Sequence, residues 1–147
     1  MLDNIRIKEI DCSSKEYEKA LEIRNEVLRK PLGLSIYEDN LTADSRSIHL
    51  CAYHEDEMIG TLVLTEINEE QIKMRQVAVD QSYRGQNVGR KLVLYSEDFS
   101  KELGYKKIVL HARAEAVGFY VKLGYVKIGE MFIEKTIPHY KMEKRLR

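Results

Sequence analysis

The sequence has no excess of charge of either sign. Its 24 lysine and arginine residues balance 24 aspartate and glutamate residues, so the formal net charge at pH 7 is zero. Proteins that bind nucleic acid or anionic membranes through a broad surface usually carry an excess of positive charge. The composition therefore gives no support for a nucleic-acid or membrane partner.

Cysteine and long apolar runs are also scarce. Cys12 and Cys51 are the only cysteines, and they form no C-x-x-C motif. Such a pair is typical of reduced thiols and predicts a cytoplasmic protein. Residues 1–10 carry charges where a signal peptide would have an apolar run, and no apolar stretch approaches the length of a membrane span. The four histidines show no metal-ligand spacing, so no metal site is predicted.

What the chain does contain fits one globular domain. Its 147 residues, 44% hydrophobic and 33% charged, can bury an ordinary core, which predicts a single domain over residues 1–147. The patterns of apolar residues predict the element order β-α-βββ-α-β-α-ββ. The strands are predicted near residues 5–10, 47–53, 58–67, 71–79, 107–112, 125–130 and 140–146, and the helices near 15–28, 88–103 and 114–123.

Single residues decide several boundaries. Ser13 and Glu16 have the S-x-x-E spacing of a capping box at the start of the first helix. Residues 34–47 are predicted to be polar and irregular, with one short helical turn near Tyr37. A surface loop is the favoured interpretation of this segment, and a segment that borders a binding cleft is the alternative. Pro138 is predicted to lie in a loop between the last two strands.

The segment Gln76–Leu94 carries the strongest functional signal. A β-branched run, Val77–Val79, leads through a polar turn into a glycine-containing, arginine-flanked loop, Arg84–Arg90, and a helical pattern begins at Val88. A helix start has unpaired N–H groups and the positive end of the helix dipole, and glycine lets the backbone approach a ligand. The loop predicts a cradle for phosphate oxygens. Glycine can also serve the turn alone, and the pattern is neither a nucleotide P-loop nor G-x-G-x-x-G.

One strand precedes the helix that follows the cradle, and another strand comes after it. Short connections at both ends predict a parallel pair of strands joined by a right-handed crossover. If these strands part before their ends, the gap can accept an extended ligand whose phosphates lie on the cradle.

These residues resemble the GCN5-related N-acetyltransferase (GNAT) superfamily. Val79–Gly89 is similar to the acetyl-CoA loop of that family, [Q/R]-x-x-G-x-[G/A]. Ala116, Phe119, Tyr120 and Leu123–Tyr125 resemble its A-x-x-F-Y…L-G-[F/Y] helix and turn. The predicted element order is also that of the family. The finer pattern is similar to a small bacterial subgroup related to the ElaA-type proteins.

The resemblance implies both a fold and a cofactor. The fold is α/β (α+β): a mixed, mostly antiparallel sheet of six to seven strands, with helices on both faces and a splay between the strands that flank the cofactor helix. The cofactor is acetyl-CoA. Its pantetheine would pair with the main chain of the strand before the loop, where an N–H would face the thioester oxygen. The implied contacts are Val77, Ala78 and Val79 for pantetheine, and Arg84, Gly85, Gln86, Asn87, Val88, Gly89 and Arg90 for the pyrophosphate.

Two positions depart from the family pattern. Asn87 replaces the middle glycine of the loop, and asparagine tolerates left-handed backbone angles better than most residues. Arg113 stands where many members have an asparagine that binds the pantetheine arm. By position, Arg113 is assigned to the cofactor site.

The implied reaction is direct attack of a primary amine on the thioester. By family position Tyr120 donates a proton to the departing thiolate, although the helix pattern alone fits a core aromatic. The general base stays open, because the glutamate of some members is replaced by Ile108. The candidates are His111, Glu66, Glu134, His139 and a water chain. His111 is preferred because histidine changes charge between pH 5 and 8.

The sequence is compatible with three functions. The leading one is an acetyl-CoA-dependent N-acetyltransferase for an amine of a small molecule or peptide. The alternatives are a non-catalytic acyl-CoA-binding sensor and a site for a different phosphate ligand. Arg75 is predicted either to pair with an acidic residue such as Glu134, which is the preferred interpretation, or to contact a carboxylate of the substrate. Family analogy leaves a homodimer open.

Overall fold

The computed structural model describes residues 4–147. Seven strands, three α-helices and several short helical turns follow the predicted order. Among the described residues, no helix is long and apolar enough to cross a membrane. The strands are β1 Ile5–Ile10, β2 Ile48–His54, β3 Glu57–Glu66, β4 Gln71–Val79, β5 Lys107–Arg113, β6 Val126–Glu134 and β7 Ile137–Arg145, and the α-helices are α1 Lys15–Arg24, α2 Val88–Glu102 and α3 Val117–Lys122.

The seven strands form one sheet in the order β1-β2-β3-β4-β5-β7-β6. The β4–β5 pair is parallel, whereas β1–β2, β2–β3, β5–β7 and β6–β7 are antiparallel. The predicted mixed, mostly antiparallel sheet is therefore confirmed. The chain divides into two compact units: the first comprises the chain up to Thr65 with Gln76–Ser96, and the second comprises Glu66–Arg75 with Glu97–Arg147.

In the first unit, helices cover both faces of the sheet. Cys51 and Ala52 are neighbours on β2 and therefore point to opposite faces. Cys51 belongs to the apolar cluster that includes Ala20 and Ile23 of α1. Ala52 is opposite Gly60, where an added Cβ would lie 3.0 Å from Leu92 Cδ1 of α2. Glycine at position 60 thus lets α2 pack closely on β3.

The predicted capping box at the start of α1 is wrong. Ser14, not Ser13, is the N-cap residue, and its side chain makes no capping hydrogen bond. Asp11 instead organises this turn, because its Oδ1 accepts from the backbone N–H of Ser13 at 2.8 Å. Glu16, the expected reciprocal partner, accepts a hydrogen bond from the Tyr53 hydroxyl. A local pattern was overridden by a better acceptor two residues earlier and by a tertiary contact.

The segment after α1 is irregular, as predicted, but it is held by buried ion pairs. A π-helical turn covers Asn25–Arg29, and a 3-10 turn at Ile36–Glu38 confirms the helical turn expected near Tyr37. Arg24 Nη1 lies 2.8 Å from Asp44 Oδ2, and both side chains are buried. Arg29 Nη2 lies 2.8 Å from Asp39 Oδ2. Two arginines of the helical segment thus fix the loop that follows it.

The second unit is built on β5, β7, β6 and the first half of β4. Ile72, Met74, Ile108, Leu110 and Met142 are all buried. The α2 residue Glu97 accepts hydrogen bonds from the Tyr125 hydroxyl at 3.0 Å and from Lys144 Nζ at 2.8 Å. This pair of contacts joins the end of α2 to β7 and to the start of β6.

The predicted loop around Pro138 is wrong, because β6 and β7 form a tight hairpin. Pro138 lies in β7 opposite Ile133, and His139 lies opposite Phe132. Only Lys135 and Thr136 connect the strands, and their φ angles are 51° and 68°. A two-residue turn with positive φ at both positions suits the strand twist, but sequences normally provide asparagine or glycine there. Because lysine and threonine are not typical of such a turn, the sequence did not predict this hairpin.

Thr136 is the more strained of the two turn residues, because a β-branched side chain disfavours positive φ. We expect Thr136→Gly to raise the free energy of unfolding by about 0.5–1 kcal/mol. Glycine adopts the left-handed conformation without steric strain, and this gain is partly offset because glycine loses more backbone entropy on folding. Chemical denaturation would measure the change. Thr136→Val is the matched control: it retains the β-branched side chain and should show no such gain, so equal stabilisation by both variants would contradict the argument.

Candidate active site

The parallel ladder between β4 and β5 is short. It contains four residue pairs, from Gln71–Lys107 to Met74–Leu110, although β4 continues to Val79 and β5 to Arg113. Gln76, two residues beyond the last pair, has a φ of 57°. A positive φ in a non-glycine strand residue interrupts regular pairing. The pairing of the two strands therefore ends before either strand does, as the sequence predicted, and Val77–Val79 follow the interruption.

The cradle residues form the connection from β4 to α2 in the first unit. Asp80 begins it: its Oδ1 accepts from the backbone N–H of Ser82 at 2.9 Å, and a 3-10 turn covers Gln81–Tyr83. Gly85 and Asn87 then have φ angles of 79° and 63°, and α2 begins at Val88. Asn87 thus takes the left-handed conformation that its place in the motif requires.

This connection has the properties of an anion site. The 15-residue helix α2 has no acidic residue in its first turn, and the first N–H groups of a helix have no intrahelical acceptors. Gly85 is exposed, and an added Cβ there would meet nothing within 4 Å. Arg84 and Arg90 are exposed on either side of the loop. The residues present fit a diphosphate, which needs several N–H donors and compensating positive charge.

A cavity of about 740 Å³ adjoins the cradle in the first unit. Its walls come from α1, from the π-helical turn, from the irregular segment that follows this turn and from the start of the connection, including Asn25, Tyr37, Asp80 and Arg84. Sequence reasoning placed the irregular segment beside a cleft only as an alternative to a surface loop. No sequence signal locates the cavity, because it depends on how the ion-paired segment folds back on α1.

Tyr120 lies on α3 in the second unit, with its ring buried and only 7% of the residue exposed. The rings of Phe119 and Tyr125 contact it edge-on, at centroid distances of 5.0 and 5.6 Å. Burial raises the pKa of the Tyr120 phenol above its ordinary value. Within the described chain the hydroxyl makes no hydrogen bond, yet it is not among the fully buried polar atoms. A protonated phenol is thus available to donate.

His111 lies on β5 and is joined to two other candidate residues. Its Nδ1 lies 3.0 Å from Glu134 Oε1 on β6, and Glu134 Oε2 lies 3.7 Å from His139 Nε2 on β7. Phe132 contacts both imidazoles, edge-on to His111 at 4.9 Å and stacked on His139 at 5.9 Å. Sequence reasoning named the three polar residues as alternatives for one role, whereas the sheet register assembles them into one cluster.

Glu66 and Arg113 are two further predicted residues, on β3 and β5. Glu66 is exposed at the end of β3 and accepts a hydrogen bond from the Tyr105 hydroxyl, so it is not part of the histidine cluster. Arg113, assigned to the cofactor site, is the last residue of β5 and is opposite His139 in the register. Among residues 4–147, no group of three histidine, cysteine or carboxylate side chains is arranged to hold a metal.

Residues 12–146 match the family described as acetyltransferase (GNAT) domain. The chain belongs to the GNAT acetyltransferase family. A Bacillus subtilis (strain 168) protein named as an acetyltransferase is 32% identical over 146 residues, covering 96% of this chain and 97% of that protein. The GNAT resemblance of the sequence is therefore confirmed, and acetyl-CoA is the cosubstrate that the family implies.

Other GNAT-fold proteins show the same architecture. Protein ElaA of Escherichia coli (strain K12) is 27% identical over 111 residues, covering 74% of this chain and 71% of ElaA. Its crystal structure superimposes with a TM-score of 0.81 at 21% identity, covering 95% of this chain and 99% of that chain. An aminoglycoside 6'-N-acetyltransferase complexed with coenzyme A gives 0.78 at 19% identity, covering 97% of each chain. The predicted GNAT fold and likeness to ElaA are confirmed.

Proposed function

We propose that this GNAT chain is an N-acetyltransferase that moves the acetyl group of acetyl-CoA to a primary amine of a small molecule or peptide. The observation that carries the proposal is the family match over residues 12–146. The proposal treats residues 1–147 as a single N-acetyltransferase domain in the bacterial cytoplasm. The unpaired Cys12 and Cys51 are consistent with that compartment.

The cradle would hold the diphosphate of the cofactor. Gly85 and Asn87 turn the backbone through left-handed conformations just before the start of α2, and Arg84 and Arg90 supply positive charge. Val77–Val79 follow the interruption in β4, so their main-chain groups are assigned to pantetheine. Arg113 is kept as a cofactor contact by its family position alone.

The chemistry would require one base and one acid. His111 accepts a proton from the acceptor ammonium, and the freed nitrogen lone pair forms a bond to the thioester carbonyl carbon. The carbonyl then re-forms as the carbon–sulfur bond breaks, and the nitrogen, which still carries one extra proton, releases it to solvent to give the amide. Tyr120 donates its phenolic proton to the departing thiolate and is protonated again from solvent. The pKa of Tyr120, raised by burial, keeps that proton in place at neutral pH.

Thiol release from acetyl-CoA, measured across a panel of primary amines, tests the proposal. Acceptor-dependent release supports an acetyltransferase. Saturable binding of acetyl-CoA without release from any amine favours the alternative, a non-catalytic acyl-CoA sensor. Thermal stabilisation by nucleotides and none by acetyl-CoA would favour a different phosphate ligand. Sedimentation of the same sample would test whether the chain forms a homodimer.

Replacing Gly85 tests the cradle directly. We expect Gly85→Ala to raise the Kd for acetyl-CoA about tenfold, because a Cβ on a loop with φ of 79° strains the turn and crowds the approaching diphosphate. Isothermal titration calorimetry would measure the change.

Gly104→Ala is the matched control for that substitution. Gly104 also has a positive φ, 98°, and open space around its Cβ position, but it follows the other end of α2. Both variants should lose similar stability, and only Gly85→Ala should lose affinity. An equal effect of the two variants on Kd would remove the cradle from the cofactor site.

A further inference from the structure

We infer that Glu134 positions His111, fixing its proton on Nδ1 so that Nε2 is the basic atom that deprotonates the acceptor. The inference rests on the proposed function and extends it to an acceptor class: amines that are protonated at neutral pH, such as alkylamines. Glu134 acts through His111 and is a positioning residue.

The hydrogen bond between the two side chains sets the tautomer. Burial opposes ionisation of Glu134, but the hydrogen bond from His111 and the nearby positive groups lower its pKa below the ordinary glutamate value. An ionised carboxylate can only accept hydrogen bonds, so His111 Nδ1, 3.0 Å from Oε1, must donate. In the neutral imidazole, the lone pair therefore lies on Nε2.

Neighbouring side chains hold this arrangement in place. The Phe132 ring contacts His111 edge-on and stacks on His139. His139, 5% exposed, has its Nδ1 3.0 Å from the carbonyl oxygen of Ile137, which can only accept a hydrogen bond. Its Nε2 lies 3.7 Å from Glu134 Oε2. The carboxylate lies between two imidazoles whose rings are both restrained by one phenylalanine.

The charges around His111 are mostly positive. The titratable and charged groups that share its region of the sheet are Lys73 and Arg75 on β4, Arg113 on β5, Glu134 on β6, and His139 and Lys141 on β7. Lys73 Nζ lies 3.5 Å from His111 Nδ1, and burial lowers the pKa of Lys73 despite the opposing effect of Glu134. Glu134 is the one carboxylate in this set, so replacing it with a neutral residue would leave no negative group in the set around His111.

An acceptor class follows from a dedicated proton acceptor. An alkylamine has a pKa of about 10 in water and is almost entirely protonated at pH 7. Such an amine must lose a proton before its lone pair can attack, whereas a weakly basic amine is already neutral. A positioned Nε2 therefore benefits alkylamines and offers little to arylamines.

The tautomer can be tested without any acceptor. Nitrogen-15 NMR of the four histidines, with His111→Asn to assign the signal, should show His111 in wild type at pH 8.5 with the proton on Nδ1. Glu134→Leu removes the hydrogen-bond acceptor of His111 Nδ1 and should give a mixture of the two His111 tautomers. Glu130→Leu, at an exposed position on the same strand, is the control and should leave the signal unchanged. A proton on Nε2 in wild type would overturn the inference.

The catalytic role is tested by pH profiles of acceptor-dependent thiol release. Glu134→Gln keeps a hydrogen-bond acceptor for His111 Nδ1 but removes the negative charge. The acidic limb of the kcat/KM profile should therefore move to lower pH. Glu134→Leu should lower kcat for alkylamines about ten- to a hundredfold with little change in KM for acetyl-CoA. Rates with arylamine acceptors, where wild type shows them, should change less, and Glu130→Gln should match wild type throughout.

The outcomes separate this inference from the proposed function. Wild-type transfer with unchanged profiles in both Glu134 variants would overturn the positioning role alone. A fall in thermal stability with no change in kcat or in the pH profile would show a structural role and would also overturn it. Absence of transfer by wild type across the panel would overturn the proposed function, and the base role with it.

Discussion

Asp44→Ala is expected to lower the free energy of unfolding by about 3–5 kcal/mol, the cost of breaking a buried ion pair from one side. Asp44 Oδ2 accepts from Arg24 Nη1 at 2.8 Å and from the Tyr17 hydroxyl at 2.6 Å. Arg24 is fully buried, and its Nε and Nη2 atoms have no hydrogen-bond partner among the described residues. Without Asp44, a guanidinium charge would remain in the interior with no compensating carboxylate.

Urea denaturation monitored by circular dichroism would measure this loss. Asp56→Ala, at an exposed position in the β2–β3 turn, is the control for removal of a surface carboxylate and should change stability by less than about 0.5 kcal/mol. The double variant Arg24→Met with Asp44→Ala should be more stable than Asp44→Ala alone, because it removes the buried charge as well. A double variant less stable than the single one would contradict the explanation.

The same ion pair gives stability a pH dependence. Burial raises the pKa of Asp44, but hydrogen bonds from Tyr17 and Arg24 and the charge of Arg24 outweigh it and hold the pKa below the ordinary aspartate value. The unfolded chain therefore binds a proton at a higher pH than the folded chain does. The contribution of Asp44 is fully present above about pH 4 and is lost as the pH falls through the lower folded value. The stability difference between wild type and Asp44→Ala should shrink over that acidic range.

The sequence predicted most of the fold because the decisive patterns are local. Alternating apolar residues located β4 at residues 71–79, and the glycine at position 104 marked the end of α2. The ion pair between Arg24 and Asp44 could not be predicted. It joins residues 20 positions apart through a loop whose path depends on the pair itself. Similarly, a lysine–threonine turn gave no hairpin signal before Pro138, because the strand pairing imposes its positive φ angles.

The candidate site also contains some residues that local patterns indicate and others that only contacts between distant residues bring together. The cradle and Tyr120 belong to motifs of neighbouring residues, so a single sequence is enough to propose them as site residues. The contact of His111 with Glu134 depends on the register of β5, β7 and β6, and on a register shift between Ile128 and Phe132. A one-residue slip would send these side chains to opposite faces. A single sequence lists the polar residues but does not show which of them meet.

Tyr120→Phe is expected to lower kcat about a hundred- to ten-thousandfold, the usual contribution of a positioned general acid, while the Kd for acetyl-CoA stays within about twofold. The substitution removes only the hydroxyl. The ring should stay in place, since its contacts with Phe119 and Tyr125 are aromatic and its hydroxyl makes no hydrogen bond in the described structure. Stopped-flow measurement of thiol release, with calorimetry for binding, would separate the two effects.

Tyr140→Phe is the matched control for the loss of one phenol in the same unit. Tyr140 lies on β7, where Lys127 Nζ stands 4.6 Å from its ring centroid, and it has no assigned role. The kcat of Tyr140→Phe should equal that of wild type.

The pH dependence of wild-type activity is a second test of the role of Tyr120. Because burial raises the pKa of Tyr120, wild-type activity should show no loss from phenol ionisation near neutral pH. A thiolate leaving without this donor would give Tyr120→Phe the kcat of wild type, and the proton donor would then have to be solvent.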